Sequence, residues 1–152
     1  MNRIGIRMDK TALAVDRAWL KKAARAILKA AGYTNAELSV YICNEENMRS
    51  LNAAWRGKNS VTDVLTFAQH EGERAGFQDS VFGDLVICSS RAMEQAAARG
   101  STFHDEMLTL LAHGAAHLAG YDHQKGRDMA REMREFEQKL KQKAEAALAA
   151  RN

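Results

Sequence analysis

The stretch between Ser101-Thr102 and Gly120 is apolar almost all the way round a helical wheel, with Met107, Leu108, Leu111, Ala112, Ala115 and Leu118 spread over its faces. A helix with so little polar surface belongs inside its fold, and that placement constrains everything built around it. Ser101 or Thr102 supplies an N-cap, and Asp105 and Glu106 put acids in the first turn, where the helix dipole favours them. Gly120 tolerates a positive φ and can end the helix and turn the chain back.

The same helix carries His113 and His117, and His123 follows beyond the glycine. Residues four apart share a helix face, with Cβ atoms roughly 5 to 6 Å apart, so the first two rings can address one ion. The turn at Gly120 would bring His123 round as a third ligand. Three imidazoles without a thiolate suit zinc, one ion per chain, and three protein ligands leave the fourth position open, as in catalytic sites. Cys43 and Cys88 each close an apolar run (SVYIC, DLVIC) and read as buried strand residues instead of ligands.

A chain of 152 residues fits one domain with a real core. Lys and Arg outnumber Asp and Glu by 22 to 19, a net charge of +3 that permits a nucleic-acid partner without requiring one. Two cysteines in no framework spacing argue against a secreted disulfide protein. The first ten residues lack a signal-peptide run, and no uncharged apolar stretch is long enough to span a bilayer. The expectation is a soluble, cytoplasmic protein with no membrane partner. Proline is absent, so glycines must punctuate the chain.

Residues 3–8 alternate as a short strand. Asp16 caps an amphipathic helix built on Trp19, Leu20, Ala23, Ala24, Ile27, Leu28 and Ala31, ending at Gly32, with Lys21, Arg25 and Lys29 on its outer face. That basic stripe reads as a solvated surface that could also help to hold a polyanion. Residues 37–43 form a strand, Asn44 caps a helix to about Trp55, and RGKNS is a polar loop. Further strands are expected at 61–67 and 81–89, with a mobile surface loop over 70–80 between them. A helix over 90–99 stops at Gly100. The last helix starts near Asp128 and buries Met129, Met133, Phe136 and Leu140. Glu135 with Lys139 and Glu137 with Lys141 pair along it, and it frays past Lys143. Strands and helices in this order predict an α+β domain, a short mixed sheet of about four strands covered by helices.

The run from His113 to Gly-Tyr-Asp-His123 resembles the YbeY family of bacterial metal-dependent endoribonucleases involved in ribosomal RNA maturation. LNAAWRGKNSVTDVLTF (51–67) and FGDLVIC (82–88) are similar to two further segments of that family. The resemblance implies that His113, His117 and His123 bind zinc and that Arg56 lies in the active-site cleft. It also implies a single-strand-selective endoribonuclease acting on ribosomal RNA at the 16S 3′ end, in maturation and quality control, with the ribosome or its associated proteins as partners.

The histidine spacing is also that of the metzincin proteases, which place a general-base Glu after the first His. Here that position is Gly114, so peptide hydrolysis by that route has no base. Phosphodiester cleavage asks instead for stabilisation of growing negative charge, which a cation can supply. Arg56 would offer a planar fork of donors to phosphate oxygens, with Lys58 a second positive point. On the residues alone, Arg56 reads rather as a surface loop arginine or a salt-bridge partner of Asp63 or Asp84, and it is the resemblance that favours the cleft. Asp122 could orient a ligand histidine or simply form the turn. Water and the RNA 2′-OH both stay open as nucleophile. The alternatives are a non-catalytic ribosome assembly factor with a structural zinc, and a metzincin-like metallopeptidase.

Overall fold

The computed structural model describes residues 1–68, 83–122 and 125–150. Four strands, β1 (Arg3–Met8), β2 (Glu37–Cys43), β3 (Val64–Ala68) and β4 (Gly83–Cys88), form one sheet in the order β1-β2-β4-β3. β1 with β2 and β2 with β4 are parallel, whereas β3 runs antiparallel to β4, so the sheet is mixed and β3 is an edge. Five helices accompany it: α1 (Arg17–Ala30), α2 (Glu45–Arg56), α3 (Ser89–Arg99), α4 (Phe103–Leu118) and α5 (Arg127–Ala149).

Local signals set most boundaries. Asp16 Oδ1 accepts hydrogen bonds from the backbone N–H groups of Ala18 and Trp19, and Asn44 Oδ1 from that of Asn47, so both expected caps form. Thr102, not Ser101, caps α4 by accepting from Asp105 N–H at 3.0 Å. Ser101 instead donates to the Asp105 carboxylate at 2.6 Å.

The sheet divides the core. On one face Leu38, Val40, Ile42, Leu85 and Ile87 meet α1, α4 and α5. On the other, Cys43, Val86 and Cys88 meet Leu65 and Met48 of α2. β4 is therefore buried on both faces, which explains its unbroken apolar run. Cys43 and Cys88 face each other in register as buried free thiols. Fully buried residues such as Leu20, Ile27, Ile87, Leu111 and Leu140 each contribute about 1.5–3 kcal/mol of hydrophobic stabilisation before entropy is counted.

Four expectations need correction. The strand expected over 61–67 begins only at Val64, because β4 ends at Cys88, opposite Asp63, and leaves nothing for Val61 and Thr62 to pair with. α2 extends through Arg56, so the polar loop starts at Gly57, whose φ of 69° closes the helix. α5 does not fray past Lys143: it runs to Ala149, with Ala144 wholly buried and Leu148 packed on the core. The intrahelical pairs on α5 are also not made. Glu137 and Lys141 both turn to partners on α4, and Glu135 and Lys139 stay exposed. The loop expected over 70–80 and the strand start at Val81 and Phe82 lie outside the described residues.

Candidate metal centre and active site

α4 is buried along most of its length, and His113 and His117 are only half-buried at the margin of the core. Their ring centroids lie 4.7 Å apart at an interplanar angle of 84°. The helix then closes as its glycine predicts. Gly120, at φ 106°, donates to His117 O, and Tyr121 N–H reaches back to Ala116 O, the doubled bond pattern of a left-handed helix stop. Tyr121 stacks on Phe136 of α5 with ring centroids 4.7 Å apart, so the chain leaving α4 turns back over α5. His123 lies just beyond, outside the described residues.

α5 runs antiparallel to α4 and meets it through two polar contacts two helical turns apart along α4. Lys141 Nζ lies 2.9 Å from Asp105 Oδ1, and Glu137 Oε2 lies 3.0 Å from His113 Nδ1. The Glu137 hydrogen bond raises the His113 pKa above the ordinary imidazole value. Burial works against it, and the negative charges of Glu137 and Asp63 add to it. The carboxylate assigns the proton to Nδ1 and leaves Nε2 as the nitrogen that could ligate an ion, the tautomer usual for a carboxylate-supported metal histidine.

The donor set therefore fits a zinc ion: two adjacent imidazoles at the core margin, one already oriented by a carboxylate. Among the described residues no group of three His, Cys, Asp or Glu side chains converges as a complete site. Two of the three expected ligands are thus together, and the third is His123.

Arg56 is exposed at the last position of α2, and its Nη2 donates to the carbonyl of Thr66 on β3 at 3.0 Å. It pairs with neither Asp63 nor Asp84 among the described residues. α4 packs on β3 from the opposite face, where Leu118 lies beside Gly83 and the Phe67 carbonyl. Edge strand β3 is thus the element shared by Arg56 and the histidine helix. Lys58 is exposed just past the helix end, held by its backbone N–H on Asn52 O at 3.2 Å.

Gly114 has a packing reason to be glycine. A Cβ there would collide with Leu85 Cδ1 in the buried core, so the position that carries a general base in metzincins has no room for a side chain. Glu137 was not among the expected site residues. Its position four before Lys141 offered a nearer partner, and no local pattern marks a contact 24 residues away. A cavity of about 500 Å³ opens on the α2 side of the sheet, lined by Arg7, Tyr41, Leu51, Phe67 and Asp84 among others. It includes none of the expected ligands and lies across the sheet from α4.

A mixed four-stranded sheet with a buried, histidine-bearing helix defines a small α+β protein with a candidate metal centre on α4. A family model described as endoribonuclease YbeY matches residues 6–145. The endoribonuclease YbeY of Aquifex aeolicus is 37% identical over 147 residues, covering 97% of this chain and 95% of that protein. That of a Sulfurihydrogenibium species is 35% identical over 139 residues, covering 91% and 90%. The solution structure of TM1509 from Thermotoga maritima superposes with a TM-score of 0.64 at 28% identity, covering 99% of this chain and 93% of that one. The chain belongs to the YbeY endoribonuclease family.

Proposed function

We propose that the protein is a zinc-dependent endoribonuclease selective for single-stranded RNA. It acts in the cytoplasm on ribosomal RNA at the 16S 3′ end, in ribosome maturation and quality control, alongside the ribosome or ribosome-associated proteins. Family membership supports the reaction class, and one observation carries the metal reading: His113 stands beside His117 with its Nδ1 held by Glu137. His113, His117 and His123 would hold the ion, which when bound supplies positive charge to a phosphoryl oxygen.

The remaining chemistry falls to the chain's own groups. Glu137 keeps the His113 proton on Nδ1 and the ring in one orientation. Arg56 already spends one N–H on Thr66 O, which fixes the guanidinium on β3 and leaves its other donors for phosphate oxygens. Lys58 adds a mobile positive charge near the same end of α2. The Gly114 backbone packs against Leu85 and offers no base, which counts against peptide hydrolysis.

The test combines elemental analysis of the native protein with cleavage of single- and double-stranded RNA by the zinc-loaded and metal-free forms. Zinc-dependent cleavage of single strands is expected. Equal cleavage by the two forms would sink the metal reading, and unfolding of His117→Ala would favour a structural zinc.

A further inference from the structure

Helix α1 carries charge of one sign only. It carries Arg17, Lys21, Lys22, Arg25 and Lys29 and no acidic residue between Arg17 and Ala30. Arg17, Lys21, Arg25 and Lys29 recur every fourth residue, so like charges stack along one face, where they repel. Arg17 also sits in the first turn, against the helix dipole, where only the N-cap carboxylate of Asp16 offsets it. Among the described residues none of the five forms an ion pair. Local conflicts of this kind are tolerated where a site needs them.

The packing shows how the stripe is displayed. Arg17 Nη1 donates to Ile6 O at 3.3 Å and Arg25 Nε to Asn2 O at 3.2 Å, so two guanidinium groups pin α1 antiparallel along β1. Leu20, Ala23, Ala24, Ile27 and Leu28 fix the opposite face in the core. Lys21, Lys22 and Lys29 are left exposed on a rigid ridge. Lys21 and Lys29 stand two turns apart, about 12 Å along the helix axis, close to twice the separation of neighbouring phosphates in a polynucleotide. β1 is the sheet edge opposite β3, and α1 meets α4 at His104, the other end of that helix from His113 and His117, so the ridge lies away from those two histidines and Arg56.

We propose that the exposed ridge of α1 is a binding site for an RNA phosphate backbone, engaging a part of the substrate remote from the scissile bond. This rests on RNA being the substrate, as read above. An acidic membrane is the weaker fit, because every large apolar group of α1 faces inward except the half-buried Trp19, which stacks on His104, so the helix presents no apolar face to lipid.

The experiment measures binding of a long labelled RNA to the intact protein by fluorescence anisotropy across a salt series. The wild type is compared with the triple variants K21Q/K22Q/K29Q and K21R/K22R/K29R. The glutamine variant should keep its thermal midpoint and bind about tenfold more weakly. Its plot of log K against log salt should flatten by about 2, from about 0.7 counterion per lost contact. The arginine variant should bind like wild type. An unchanged slope and affinity in the glutamine variant, beside a wild type that binds RNA, overturns the ridge alone. A wild type that binds no RNA overturns the ridge together with the RNA reading. Charge-dependent capture by phosphatidylserine vesicles, with RNA affinity unmoved by the substitutions, overturns it in favour of a membrane.

Discussion

Glu137 Oε2 lies 3.0 Å from Nδ1 of His113 and joins the middle of α5 to the helix that carries two of the three candidate ligands. A carboxylate at that nitrogen fixes the tautomer and raises the basicity of Nε2, and losing such a partner from a metal site typically costs about 10- to 100-fold in affinity. The helix contact is therefore part of the candidate site as well as of the helix packing.

Replacing Glu137 by Gln should weaken zinc binding about 10- to 100-fold while leaving the fold intact. Competition with a chromophoric chelator measures the first, and far-UV circular dichroism the second. Unchanged zinc affinity in Glu137→Gln would show that the contact is structural only.

The raised His113 pKa sets a pH dependence. In the metal-free protein, stabilisation by the His113–Glu137 pair is fully present below the unfolded imidazole pKa and is lost as pH rises through the folded one. Zinc needs the unprotonated ring, so its binding strengthens over the same rise. The gain in Tm on adding zinc should therefore grow with pH through and above the ordinary histidine range. Differential scanning fluorimetry of loaded and chelated protein across pH checks this, and a gain that shrinks with pH contradicts it.

Gly114→Ala should destabilise the protein by about 1–3 kcal/mol, because its methyl group collides with the Leu85 side chain. Urea unfolding measures the loss. Shortening the neighbour in a Gly114→Ala, Leu85→Val double variant should recover part of it, and strictly additive losses would show that the two positions do not compete for one space.

Arg56→Ala should cost little stability, below about 1 kcal/mol, since the bond to Thr66 O is exposed. RNA cleavage should fall about 100-fold, the scale of losing one charge-stabilising donor. Zinc content should not change. Single-turnover assays with metal analysis separate the two effects, and near-normal cleavage would remove Arg56 from the site.

At the far end of β1, burial pushes the Asp9 carboxyl up. Hydrogen bonds from Asn47, Tyr41 and the Asn44 backbone, with Arg7 nearby, outweigh it and hold the pKa below its ordinary value. A depressed carboxylate stabilises above its unfolded pKa, and that share is lost as pH falls through the folded value. Asp9→Asn should lower stability at neutral pH and flatten the acid limb of a Tm-against-pH curve. An acid limb as steep as that of wild type would exclude Asp9 as a contributor.

Sequence reading and structure agree where the physics is local. Asp16, Asn44 and Thr102 cap helices because a side-chain oxygen three residues from an open N–H needs no distant help. The run DLVIC read as a strand with a buried Cys88, and both the strand and the burial are found. His113 and His117 share a face because helical geometry requires it. Local reading failed at Glu137 and Lys141, whose spacing suits a pair with each other. Both instead reach across to α4, where the contacts with His113 and Asp105 are partly buried and less screened by water than a pair along one exposed helix face.

From its own order of residues the chain determined which segments would be helix or strand, where Gly120 would turn it, and which histidines could meet. Those outcomes depend on bonds closed within a turn or two. Only the tertiary structure decided that Glu137 serves His113, that Arg56 is fastened to β3, that Leu85 forbids a side chain at Gly114, and that α5 stays helical to Ala149. Each of these depends on which surfaces meet once the sheet and helices pack, and no interval along the chain encodes it.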